Sequence, residues 1–149
     1  MKLLLSCLSL LLPLLATSQI KIDDVGDGWK DKVEQALNVI QQYDSDKHTF
    51  ILCESNHISY TLAKFTTTEG DSTILLAQRE IIAGCINDLA AALVHESMHL
   101  YFLHNGIKMS HNEEEFTCYA YELDFLLNIP NVEPWLIDHA RRYMEYYSK

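Results

Sequence analysis

A chain of 149 residues can hold one domain with a real core and is too short for two comfortable ones. Its 11 Lys and Arg stand against 21 Asp and Glu, a formal net charge of −10. Phosphate backbones and anionic lipid surfaces repel such a chain, so nucleic acid is not expected as a partner.

The first residues, MKLLLSCLSLLLPLLATSQ, place Lys2 before an apolar run from Leu3 to Leu15, followed by the small residues Ala16, Thr17 and Ser18. That order predicts a secretory signal peptide over 1–18, cleaved near Ser18 and Gln19, and a secreted or periplasmic domain over 19–149. The run falls short of the roughly 20 residues that a membrane span needs, and Pro13 interrupts it, so no stable span is expected. Cleavage removes Cys7 and leaves Cys53, Cys85 and Cys118, an odd set that allows at most one internal disulfide. No CxxC spacing occurs, and the cysteines read as small buried residues rather than metal ligands.

Within the domain, Trp29, Val33, Leu37 and Ile40 recur at spacings of three and four. They predict an amphipathic helix that starts at Asp27 or Gly28 and ends near Tyr43. The stretches HTFILCES, ISYTLAKFTTT and STILLAQREII are rich in Ile, Thr, Phe and Tyr and are parted by SNH and EGD, which predicts three strands in a largely antiparallel sheet. A second helix follows, with Asn87 or Asp88 as its N-cap and Asn105-Gly106 as a left-handed stop near Leu103 or His104. A third helix is expected over Glu113 to Asn128, and a last one opens at Pro134. Helix, three strands and three helices make an α+β fold.

The second helix carries H-E-S-M-H. Residues four apart on a helix stand on one face, so His95 and His99 can turn imidazole nitrogens to a single ion, and Glu96, rotated by about 100°, can reach a water held there. Leu89 to Val94, Met98 and Leu100 to Leu103 make the helix apolar nearly all round. Burying two histidines and a glutamate there without a partner costs several kcal/mol, which a divalent cation offsets. A catalytic zinc takes three protein ligands and leaves a fourth position open. The Gly and His that a metzincin needs after the motif are Phe102 and Asn105, so that branch is excluded, and His104 lies off the ligand face as a helix-end residue. A carboxylate of the next helix, from Glu113, Glu114 and Glu115, remains as the third ligand.

HExxH followed by a helix with Glu, a small residue three on and an aromatic nearby resembles the gluzincin branch of the zincin metallopeptidases, in a small, secreted, bacterial-type form. The resemblance implies that this Glu is the third zinc ligand. Glu115 fits with Cys118 as the small residue, and Glu114 fits with Thr117. Glu115 shares a face with Tyr119 and Glu122, which could steady the ligating groups, and is preferred on that ground. Glu113 reads as a first-turn residue favoured by the helix dipole. The family often has an acidic residue four after the ligand, where this chain has Tyr119. The resemblance also implies a minimal zincin-like fold whose sheet edge binds extended substrate, with STILLAQ as the candidate strand.

The expected activity is a secreted zinc-dependent peptidase acting on peptide or protein. Zinc on His95, His99 and Glu115 activates a water, Glu96 is the general base, and the oxyanion donor comes from among Tyr119, Tyr121, His111, His139 and Tyr143. A non-catalytic zincin-like zinc-binding or partner-binding domain, an SprT-like metalloprotease, and a secreted binding module with an accidental motif are the alternatives. Secretion and acidity argue against the DNA-associated SprT role.

Overall fold

A computed structural model describes residues 20–78 and 84–149. The expected signal peptide and residues 79–83 at the end of STILLAQREII lie outside the described residues.

The first helix, α1 (Trp29–Tyr43), forms as its apolar spacing predicts. Trp29, Val33, Ala36, Leu37 and Ile40 are all buried, and Gly28 in the left-handed region precedes them. The stretch HTFILCES, expected as a strand, is instead the body of α2 (Ser45–Glu54). Asp44 caps it by accepting from the backbone N–H of Lys47 at 3.1 Å. Lys47 and Ile51, four apart, are its buried residues, and Phe50 packs on Tyr101 and Tyr121 with ring centroids 5.5 Å from each. Local β propensity yields to a side-chain cap and a helical burial pattern.

The sheet is mixed rather than largely antiparallel. Its strands are β1 (Lys21–Ile22), β2 (His57–Thr61), β3 (Thr67–Glu69) and β4 (Thr73–Ala77), in the order β1-β2-β4-β3. β1 and β4 both run parallel to β2, and only β3 is antiparallel, to β4. ISYTLAKFTTT thus supplies two strands, parted by a bend at residues 62–65. The hairpin from β3 to β4 turns at Gly70, φ +63°, and returns β4 between β2 and β3. STILLAQ is therefore an internal strand, which corrects the expectation that it is the substrate-binding edge; the edges among the described residues are β1 and β3. Ile58, Ile74, Leu76 and Ala77 are fully buried.

Three helices follow, as expected. α3 (Ile86–His104) is packed against α1, α2 and α4. Its N-cap is Cys85 rather than Asn87 or Asp88, because Asn87 instead donates to Glu133 Oε2 at 2.9 Å and ties α3 to the approach to α5. At the other end, Gly106 has φ +60°, Ile107 N–H donates to Phe102 O and Gly106 N–H to Leu103 O. That is a Schellman stop. α4 (His111–Asn128) begins two residues before the expected Glu113, since Ser110 and Glu113 form a reciprocal capping box. α5 (Pro134–Tyr147) has Pro134 in its first turn and packs on α4. No helix among the described residues is long and apolar enough to cross a membrane.

Candidate metal centre

His95 and His99 lie on α3 where that helix crosses α4, and both are largely buried. Their Nε2 atoms face one carboxylate from the neighbouring helix: His95 Nε2 lies 3.4 Å from Glu115 Oε2, and His99 Nε2 lies 3.6 Å from Glu115 Oε1. These separations exceed a good hydrogen bond, and the two imidazoles and the carboxylate converge on one point.

The other ring nitrogens are occupied. His95 Nδ1 lies 3.0 Å from Glu122 Oε2, and His99 Nδ1 lies 2.7 Å from Glu114 Oε1. A carboxylate accepts but does not donate, so each Nδ1 carries a proton, and Nε2 is the nitrogen left to bind an ion at the shared point once it is deprotonated. Glu114 and Glu115, the two candidates for third ligand, thus take different places: Glu115 faces both Nε2 atoms and Glu114 orients His99. Four residues after Glu115, where gluzincins often have an acid, this chain has Tyr119, which packs edge-on against His95 with centroids 4.4 Å apart. The orienting carboxylate for His95 comes from Glu122, two helical turns after Glu115.

Cys118 was expected only as a small residue, and the structure gives it more. Its thiol is buried, and the ligand atoms of His95, His99 and Cys118 lie within 4.8 Å of one another. The signal was present in the sequence, because Cys118 falls one turn after Glu115, but the absence of a CxxC spacing hid it. The three cysteines 53, 85 and 118 are free; Cys53 is exposed, against the expectation of burial.

The electrostatics suit a cation. Burial disfavours a charged His95, but the facing Glu115 carboxylate and then the hydrogen bond to Glu122, with the attraction of Glu122 and Glu96, outweigh it and push its pKa up to about 10. Burial raises the Glu115 carboxyl, yet the facing His95 imidazole and the charges of the neighbouring histidines bring it below its ordinary value. Burial, reinforced by Glu115 and other carboxylates, drives the Cys118 thiol strongly upward. In the absence of an ion, a proton on His95 offsets part of the carboxylate charge; a divalent cation would displace it. Two imidazoles, a carboxylate and a thiol form a donor set of the kind that zinc takes.

Glu96 is 7% exposed and lies with the histidines on a cleft of about 860 Å³. Phe65, Thr66, Thr67 and Thr68, at and before the edge strand β3, form one wall. Tyr119, His139, Tyr143 and Tyr147 form another. Of the five oxyanion candidates, Tyr119, His139 and Tyr143 line this cleft. Tyr121 does not, and packs instead edge-on against Phe50 under the Lys47 ammonium. His111 packs edge-on against Tyr147 and is not a cleft wall. His104 faces away at the helix end, 2.6 Å from Glu54 Oε2. Glu113 is engaged with Ser110 in the capping box.

Comparison with protein-family models, with curated proteins and with solved structures returns no match.

Proposed function

We propose that this protein is a secreted zinc-dependent metallopeptidase of gluzincin type, with His95, His99 and Glu115 holding the metal and Glu96 as general base. The observation that carries this reading is the division of labour at the histidines: both Nδ1 atoms are held by carboxylates while both Nε2 atoms face Glu115. An accidental HExxH on a buried helix has no reason to arrive with two orienting acids and a third donor from another helix.

Zinc bound there would supply Lewis acidity, lowering the pKa of a water toward neutrality and polarising an amide carbonyl. Glu96 takes the proton of the attacking water and delivers it to the departing amine nitrogen. Tyr119, His139 and Tyr143, the oxyanion candidates that line the cleft, are the ones we assign to donate to the developing oxyanion. Among the described residues the edge strand β3 pairs only with β4, and its other edge can hold an extended peptide by main-chain hydrogen bonds.

Cys118 favours a second reading. A thiolate joining two histidines and a carboxylate would close the coordination sphere, as in structural zinc sites, and leave a non-catalytic domain. The test is elemental analysis of the purified protein beside a peptide-library hydrolysis assay, with His99→Ala and Glu96→Gln as variants. The peptidase reading expects about one zinc per chain, its loss in His99→Ala, and retained zinc with hydrolysis lowered by about 10²-fold or more in Glu96→Gln. Zinc without hydrolysis of any peptide supports the closed site, and full hydrolysis by Glu96→Gln rejects the mechanism.

A further inference from the structure

Along α5, Trp135, His139, Tyr143 and Tyr147 recur every fourth residue, and all four line the cleft. Four residues advance a helix by about 400°, so the rings form one slowly winding stripe. The same helix gives different residues to the core: Leu136 and Ala140 are buried, whereas Trp135 is 51% and Tyr143 37% exposed. Trp135, and the part of Tyr143 that its neighbours leave uncovered, are thus turned to water along the cleft. The rings also brace one another. Tyr143 stacks on Tyr119 at 5.0 Å with planes 13° apart, Tyr147 stacks on Tyr119 at 6.0 Å, and His139 sits 4.7 Å from Tyr143. Rings held in this way lose little freedom when a ligand docks.

The charge in the cleft is one-sided. Asp88, Glu96, Glu114, Glu115 and Glu122 line it, and no Lys or Arg does among the described residues. Even a bound dication leaves that set net negative. The whole chain has the same sign, which draws cations toward the cleft and repels acidic segments.

We infer that the α5 aromatic stripe and the acidic floor select peptide segments bearing Arg or Lys, whose cationic groups lie over the Trp135 and Tyr143 faces. Aromatic faces attract a guanidinium or ammonium through the ring quadrupole, and the carboxylates add charge complementarity that a neutral apolar side chain would not use. The inference rests on the reading of the cleft as a peptide site.

The experiment uses the zinc-loaded Glu96→Gln variant, so that binding is read without turnover, and two fluorescein-labelled peptides identical but for Arg or citrulline at one central position. Fluorescence polarisation is expected to show the Arg peptide binding about fivefold tighter. Trp135→Leu and Tyr143→Leu, made in the same background and checked for zinc content and circular dichroism, are each expected to shrink that ratio toward one. Equal binding of the two peptides, or a ratio unchanged in both aromatic variants, overturns the inference. If the unsubstituted protein hydrolyses peptides without charge preference, the recognition fails and the reaction stands. A charge preference in binding by a protein that hydrolyses nothing preserves the recognition and rejects the reaction.

Discussion

His95 Nδ1 and Glu122 Oε2 lie 3.0 Å apart, buried between α3 and α4, and the pair fixes which nitrogen of His95 is left to face Glu115. Glu114 does the same for His99 at 2.7 Å. Replacing such orienting acids weakens metal binding because the imidazole loses both its fixed tautomer and its basicity. Glu122→Gln and Glu114→Gln are each expected to raise the zinc dissociation constant by about 10- to 100-fold with the fold intact. Titration against a competing chelator measures it; unchanged affinity in both variants would show that the contacts do not serve a metal.

Glu115 and Cys118 make separable claims on the third ligand position. If Glu115 is the ligand, Glu115→Ala empties the site at micromolar zinc, while Cys118→Ser, a near-isosteric change at a buried position, keeps it filled and active. The reverse pattern, with Cys118→Ser losing zinc and Glu115→Ala retaining it, would assign the thiolate and favour the structural site. Metal content after gel filtration decides.

Glu113 and Ser110 cap α4 and lie outside the cleft that His95, His99 and Glu115 line. Glu113 Oε2 accepts from the Ser110 backbone N–H at 2.8 Å, and Ser110 Oγ accepts from Glu113 N–H at 3.3 Å. Ser110→Ala is expected to cost about 1 kcal/mol of stability by urea denaturation. Glu113→Ala should leave zinc stoichiometry untouched, and its loss of zinc would place this acid in the site after all.

Acid should loosen the β1–β2 edge through Asp23. The Ser59 hydroxyl donates to its Oδ2 at 2.7 Å. His57 Nε2 lies 3.0 Å from its Oδ1, outside hydrogen-bond geometry, and Lys21 Nζ lies 3.2 Å away. The Ser59 bond first, then His57 and Lys21, against a modest opposing effect of burial, hold this carboxyl well below its ordinary 3.8. A depressed folded-state pKa stabilises above the unfolded value and loses that contribution as pH falls below it. Between about pH 6 and pH 2, the urea midpoint of Asp23→Asn should therefore fall less than that of the unsubstituted protein. Equal falls would remove Asp23 from the acid response.

Much of the α-helical frame is readable from residue order. The spacing of Trp29, Val33, Leu37 and Ile40, the Asn105-Gly106 stop and Pro134 all act within a few residues of themselves, and α1, α3 and α5 appear where those signals stand. HTFILCES misleads for the opposite reason. Its β-branched and aromatic residues favour a strand locally, but Asp44 caps a helix and Lys47 reaches Asp124 Oδ2, 77 positions away, at 2.6 Å. The strand directions were equally hidden, since nothing in ISYTLAKFTTT reveals that β4 will insert between β2 and β3.

The site divides along the same line. His95, Glu96 and His99 share one turn and a half of a single helix, so their spacing alone places them together. The third donor is different in kind. Glu114 and Glu115 are adjacent in sequence and differ in angle by about 100°, and only the packing of α4 on α3 turns one toward both Nε2 atoms and the other toward an Nδ1. That same packing brings Glu122 and the Cys118 thiol to the histidines and sets the α5 aromatics along the cleft, because contacts between helices depend on crossing geometry that no local pattern encodes.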